Sequence, residues 1–380
     1  MRMVYLLLLA VGIIGANSLV LSPIAGDVAA GLGHGTASDV MTAAACYGMG
    51  VAGSALLLAP RADRVGSAMA LKTALWSMIA GLAVSATAPG IVMLSVAQTV
   101  TGIGAGMALP AIYGLAAQIA KPGKEARTIG TVLTGWTLSM VGGVTLSTHL
   151  AELAGWRAVF VALGTALVIV QLLLARAPLP PAPAQATSST PLSALRVPGI
   201  TAALFSVAML GTGFYGIYNY LGAHLTENLL RPTSDGGWLT LSYGIGFGAA
   251  MLVDPWLDRV GPRRGLLAVF SALALFYPVM SLTAPSYDTL LPLMALWGVL
   301  QHLGLNLTVG RLGALDASQR GAIMGLNSTV MYLSVFGATV FYRPVFEGWG
   351  LGACMVLSGG MAVLGAGEAL VARLKAARLA

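Results

Sequence analysis

Apolar runs of about twenty residues, separated by short charged or Gly/Pro-rich breaks, recur along nearly the whole of this 380-residue chain. A helix that crosses a bilayer needs about 20 apolar residues, whereas a β-barrel strand alternates over roughly 10. The runs are continuous, so they predict an all-α membrane protein. Twelve segments result, near 4–25, 39–60, 68–87, 91–119, 128–150, 156–175, 199–223, 237–253, 265–283, 289–310, 321–342 and 351–372. The charge content agrees: 20 basic and 13 acidic residues make up 9% of the chain, against roughly 25% in a soluble domain. So few charges cannot cover a water-facing surface. Nucleic-acid binding, a secreted disulfide scaffold and disorder are excluded on the same ground. A cleaved signal peptide after Arg2 is the alternative for the first segment, but that run exceeds 20 residues and its removal would leave eleven spans. Cys46 and Cys354 fall in apolar runs of opposite halves and read as reduced packing residues.

Lysine and arginine are retained on the cytoplasmic side of short loops. With the N-terminus inside, only Arg157, Arg231 and Arg343 fall outside, against seventeen basic residues inside. Both termini are therefore expected to be cytoplasmic, in what reads as a bacterial cytoplasmic (inner) membrane. Residues 177–198 form the one long loop, with Pro178, Pro180, Pro181, Pro183 and Pro191, a composition that predicts a semi-extended linker. It divides the chain into 1–175, a linker 176–198, and 199–380, each unit with six spans. The halves repeat: Asp63-Arg64-Val65-Gly66 recurs 195 residues on as Asp258-Arg259-Val260-Gly261. Gly155-Trp156 and Arg127 recur 193 residues on as Gly348-Trp349 and Arg320. Parallel repeats of six spans are the arrangement of a rocking two-bundle transporter.

These residues resemble the major facilitator superfamily, and within it the twelve-span drug and metabolite exporters of the arabinose-efflux, drug:proton antiporter-like type. The strongest element is Ala59 to Gly66, similar to the family's G-x-x-x-D-R-x-G-R-R/K loop between spans two and three. There Gly66 permits a tight turn and Asp63 can meet a helix N-terminus. The resemblance implies a conformational latch made of Asp63, Arg64 and Gly66, repeated as Asp258, Arg259 and Gly261. The first copy has Ala59 for the leading glycine and Ser67-Ala68 for the basic pair; the second keeps Arg263-Arg264 but has Asp254 for the glycine. Span four carries Gln98-Thr99-Val100-Thr101-Gly102-Ile103-Gly104-Ala105-Gly106, which looks like R-x-x-x-G-x-G-x-G with an uncharged Gln98 for the arginine. Gly102 and Gly106 form a small-residue seam. Span five keeps only the first glycine of the antiporter signature G-P-x-x-G-G, in Gly143 to Thr148. The Gly155 to Phe160 stretch and the Arg320 to Thr329 stretch match the exporters well.

The resemblance implies two six-helix bundles related by pseudo-two-fold symmetry, with a substrate cavity near the midplane lined by spans one, four, seven and ten. Polar residues there are the candidates: Asn17, Gln98, Tyr215, Asn219, Gln301, His302 and Asn306, with Trp136, Trp297 and Asn327 as further ones. Gly298 could make room for a ligand. His302 is the one titratable group expected in a span interior, either as a functional ionisable residue or as a neutral imidazole bonded across helices. His34, His149 and His224 read as interfacial, and Glu368 as an interfacial partner of Arg373. If transport is proton-coupled, His302, Asp27 or Glu227 would carry it. Burying an unpaired charge is costly, so an interior this short of charge suits a small neutral, zwitterionic or weakly basic amphipathic molecule. Proton-linked efflux by alternating access is the expected function, with an importer or facilitator as the nearer alternative and a non-transporting receptor as the more distant one. No phosphate loop, H-E-x-x-H, C-x-x-C or G-x-S-x-G is present, and the G-x-G-x-x-G matches at Gly48 and Gly211 lie inside apolar runs, where they read as packing glycines. The chain is thus expected to be no enzyme, to need no cofactor or metal, and to work as a monomer in the lipid bilayer with a small-molecule substrate and protons as partners.

Overall fold

The computed structural model describes residues 2–33, 35–58, 65–121, 124–178, 191–254, 257, 259, 261–316 and 318–379, and no strand occurs among them. Long apolar stretches with no water to hydrogen-bond their backbone satisfy it internally, which only helices allow here. Span one is Arg2–Val20, and the chain then turns into a separate short helix, Ala25–Leu32. Spans two, three and four are Ala37–Leu57, Ser67–Thr87 and Ile91–Ile119. Span five runs from Glu125–Leu138 through a widened π-helical turn, Ser139–Val144, into Thr145–Ala154, and span six is Trp156–Arg176. Span seven, Ile200–Ala223, widens in the same way over His224–Asn228. Span eight, Thr233–Ala249, instead tightens over Ala250–Val253. Spans nine and ten are Pro262–Ser281 and Tyr287–Gly313. The all-helical, twelve-crossing fold expected from the sequence is the one observed.

Spans eleven and twelve differ from the expectation. The anticipated loop at 343–350 is helical, and Arg320–Leu379 is one helical run broken only at Gly350, where φ is +76°. A single residue in the left-handed region reverses the chain, and glycine alone holds that conformation without strain. The same device joins spans five and six at Gly155 (φ +84°), and Gly66 (φ +85°) and Gly261 (φ +74°), which directly precede spans three and nine, also have positive φ. Gly66 with Gly261 and Gly155 with Gly350 share one offset of 195. The 193-residue match of the Gly-Trp pairs is therefore corrected: Trp156 is buried against Gly31, whereas Trp349 is 77% exposed. Asp63, Arg64 and Asp258 of the latch lie outside the described residues, as does His34. Arg259 is described and exposed.

Within the first half, spans two and three pack on span four, span one on span five, and span three on span six. Glycines make the close seams. A Cβ at Gly102 would lie 2.3 Å from the Tyr47 carbonyl oxygen, and one at Gly106 would lie 2.1 Å from Ser54 Oγ. In the second half span seven packs on span eleven and span eight on span ten. Gly298 serves that last seam, since a Cβ there would be 2.1 Å from the Tyr243 carbonyl oxygen. The space beside Gly298 is thus taken by span eight and not left for a ligand. The linker is also corrected in part, because Pro191–Arg196 forms a 3-10 turn that buries Pro191 and Ala194 against spans seven, ten and eleven.

Candidate functional site

Two faces are distinguished below: the near face, where spans one and seven begin, and the far face, where they end. Among the described residues, the hydrogen bonds and ion pairs crossing between the two halves of the chain lie at the far face or toward it. Ser22 Oγ donates to the Tyr218 carbonyl, and Tyr218 OH donates to the Leu19 carbonyl at 3.1 Å. The Ala37 amide, at the start of span two, donates to Glu227 Oε1 at 2.9 Å, so a carboxylate from the end of span seven caps a helix of the other half. Arg343 on span eleven donates to Asp39 Oδ1 on span two and, within its own helix, to Glu347 at 2.7 Å. Asp39 is held for this by Thr36, whose amide donates to Oδ2 at 2.7 Å in a capping box. Thr145 on span five donates to the Gly237 carbonyl on span eight at 3.2 Å. Asp27 sits in the same seam with Oδ2 buried and unpartnered. Burial raises its pKa, the nearby Thr233 side chain opposes this, and Glu152 adds to it.

Deeper in, aromatic residues meet around the halves' junction. Tyr47 on span two and Tyr332 on span eleven stand edge to face at 6.2 Å, and Ser18 Oγ on span one lies 2.7 Å from Tyr47 OH. Phe214 on span seven contacts Tyr215, Tyr218, Tyr243 and Trp297 with ring centroids within 5.4 Å. Aromatic pairs in this geometry add cohesion beyond area burial. Tyr277 OH on span nine accepts from Trp297 Nε1 and from Gln301 Nε2, each at 3.1 Å.

The proposed cavity residues separate into those committed to packing and those that are not. Asn17 donates to Gln98 at 3.4 Å, and Gln98, fully buried, donates to Ser85 at 3.0 Å, so this amide links spans one, four and three. Asn219 donates to Thr339 at 2.7 Å across spans seven and eleven. Trp136 Nε1 donates to Tyr113 OH at 3.2 Å, and Trp297 is wholly buried. Tyr215 is buried beside Phe214, Asn306 is half-buried, and the Asn327 carbonyl oxygen is buried without a partner. His302 is not solitary. Its Nε2 lies 3.0 Å from Asp254 Oδ1, its ring stands edge-on to Phe247 at 4.8 Å, and its Nδ1 is buried with no partner. Sequence reasoning misses that pairing, although Asp254 stands where the motif of the second turn has its leading glycine. It also misassigned Glu368, which pairs not with Arg373 but bidentately with Arg311 at 2.6 and 2.7 Å, with Ser206 Oγ donating to the same carboxylate at 2.7 Å. The two cysteines are free.

Twelve apolar crossings, a repeated turn geometry and a cluster of aromatic and amide side chains between the spans define a polytopic membrane protein. The chain matches the Major Facilitator Superfamily over residues 7–339 and belongs to it. It is thus an integral membrane secondary transporter that carries small molecules by alternating access. It is 25% identical over 362 residues to the uncharacterized MFS-type transporter YwfA of Bacillus subtilis (strain 168), covering 92% of this chain and 87% of that protein. YtbD of the same organism, also an uncharacterized MFS-type transporter, is 25% identical over 298 residues, 74% of this chain and 75% of its own. In fold, the chain is similar to a bacterial homolog of the human lysosomal transporter Spinster, crystallised inward-facing and unoccupied. The TM-score is 0.76 at 16% identity, covering 98% of this chain and 96% of that one.

Proposed function

We propose that this protein exports a small neutral, zwitterionic or weakly basic amphipathic organic molecule, linked to proton entry, across a bacterial inner membrane with both termini in the cytoplasm. Residues 1–175 and 199–380 act as the two rocking bundles, and the protein works as a monomer. The observation that carries the reading is the chemistry of the interior: phenols, indoles, amides and one imidazole meet there, while the acidic and basic groups nearby are paired. Arg311 is held by Glu368 and His302 faces Asp254. A strongly anionic substrate would find no free cation among the described interior residues, whereas an amphipath gains both ring contacts and hydrogen bonds. In this reading Tyr215, Gln301, Asn306 and Asn327 contact substrate. Asn17, Gln98, Trp136, Asn219 and Trp297 set the shape of the site, and Asp63, Arg64, Gly66, Asp258, Arg259 and Gly261 latch the cytoplasmic side. Proton coupling rests on His302, with Asp27 and Glu227 at the opposite face.

A facilitator or importer is the second reading, favoured by span five, where Val144 and Ser147-Thr148 stand where the antiporter signature has proline and a glycine pair. A thermal-shift screen of purified protein against a metabolite and drug library identifies the ligand, and its flux is then measured in everted and right-side-out vesicles with and without a pH gradient. Accumulation in everted vesicles that collapses with the gradient is expected. Accumulation confined to right-side-out vesicles rejects export.

A further inference from the structure

We infer that Asp254 and His302 together form the proton-binding site of the transport cycle, exchanging protons with the near face in the conformation seen here. The inference deepens the transport reading and rests on it, but on neither the substrate nor the direction of flux. Asp254 directly follows the near-face end of span eight, and its side chain is 30% exposed, while that of His302, halfway along span ten, is 9% exposed. The pair therefore has a watered end and a buried end. A carboxylate oxygen 3.0 Å from Nε2 requires a hydrogen between them. Nε2 carries it, which leaves a lone pair on Nδ1.

That lone pair is buried and accepts from nothing. A structural imidazole in a helical bundle is normally satisfied on both sides. His224 Nδ1 is also unpartnered, but its other nitrogen meets a backbone carbonyl, whereas at His302 the other nitrogen meets a carboxylate, which stabilises the imidazolium. In the unloaded pair a neutral ring and a carboxylate carry a net charge of −1. One added proton, taken up on Nδ1 while the Nε2 hydrogen bond is kept, brings the net charge to zero. Spans eight and ten also meet through Gly246 and Gly298, where a Cβ would lie 1.8 Å from the Ala295 carbonyl oxygen and 2.1 Å from the Tyr243 one. Charging a pair across so tight a contact biases how the two helices sit against each other.

The other groups facing span ten leave the titration to this pair. Tyr243 on span eight, Tyr277 on span nine and Tyr215 and Tyr218 on span seven are phenols, whose ordinary pKa near 10 keeps them neutral. Glu368 on span twelve is bound to Arg311 of span ten itself, and Arg264 at the start of span nine is exposed.

The test uses the full chain in nanodiscs with protons as the only ligand. Ring signals of the four histidines, isotope-labelled and assigned to His302 by loss in His302→Gln, are followed by NMR from pH 5 to 9. Amide exchange at the far-face segments 36–41 and 226–233, corrected for intrinsic rate, is followed over the same range. The His302 ring signals are expected to pass through a single protonation midpoint within that range. Asp254→Asn should move that midpoint to lower pH, since an adjacent carboxylate favours the charged ring, and Asp254→Glu should restore it. Far-face exchange should follow the same midpoint in the wild type and become pH-independent in His302→Gln. A His302 signal that does not titrate, or far-face exchange that keeps its midpoint in folded His302→Gln, overturns the proposal. If Arg343→Ala still exposes the far face while no pH response exists, alternating access stands and only the proton site is rejected.

Discussion

Removing the Arg343 guanidinium should loosen the far-face closure without unfolding the protein. The pair it forms with Asp39 crosses between spans eleven and two, and the side chains are 36% and 31% exposed. Ion pairs this exposed contribute about 0.2–1 kcal/mol. The upper end applies, because Thr36 already fixes the Asp39 carboxylate through its amide at 2.7 Å and its hydroxyl at 3.0 Å, so little side-chain freedom is lost in pairing. About 1 kcal/mol corresponds to roughly a fivefold change in an equilibrium. Arg343→Ala should therefore raise the open fraction about fivefold, read as faster opening-limited amide exchange at 37–41 in nanodiscs. Glu347→Gln is the control, since Glu347 pairs with Arg343 within one helix and spans no gap. The effect should fade in 1 M salt, where the Debye length falls to about 3 Å. Exchange that changes by less than twofold, or that Glu347→Gln accelerates equally, would show that this pair does not hold the face closed.

The Arg311–Glu368 pair, 17% and 14% exposed and confined to the second half, predicts a different outcome. Arg311→Ala or Glu368→Ala should cost about 3 kcal/mol by leaving one charge unpaired, and Arg311→Met with Glu368→Leu should recover most of it, as checked by thermal unfolding in detergent. Gly102→Val should abolish folded yield, because its side chain would enter the backbone of span two, whereas Gly53→Ala, with nothing within 4 Å of the added Cβ, should be neutral in the same expression assay. Asp27 has a raised pKa, so its folded form binds a proton more readily than its unfolded form. Its contribution is therefore greatest below the ordinary carboxylate value near 4 and is lost as pH rises through the raised native value. Asp27→Asn should flatten that slope and be the more stable protein at pH 7, which thermal unfolding from pH 3.5 to 7 would detect.

Much of the architecture could be read from the sequence because hydrophobicity and chain length act locally. Each span announces itself within about twenty residues, and the Asp-Arg-Val-Gly repeat marks equivalent turns through the glycine that each turn needs. At the junction of spans eleven and twelve the sequence misleads, because Arg343 and Glu347 look like a solvated loop, yet they pair one helical turn apart while the reversal is left to Gly350. The second Gly-Trp pair misled for a related reason, since the side chains matched where the backbone conformation did not. Pairings between distant spans carried no local mark. Asp254 is 48 residues from His302, and Arg311 is 57 from Glu368, and only the packing of spans eight on ten, and of seven, ten and twelve together, brings them within reach. Gln98 is a cavity candidate by its polarity, but whether an amide faces a cavity or a neighbouring helix depends on rotation about the span axis, which its near-uniform apolar surroundings do not encode.

The single-residue reversals at Gly155 and Gly350 bear on how such a molecule can move. A loop between two helices would act as a slack tether and let each swing separately. One glycine between helix ends behaves more like the bend of a tuning fork, passing torque from one tine to the other. Spans five and six, and spans eleven and twelve, would then turn as two stiff forks. The inner tine of each carries a seam with the opposite half, span five against span eight and span eleven against span two. The outer tines give each fork a long lever into the surrounding lipid, so bilayer thickness and lateral pressure would enter the energy difference between the open and closed forms.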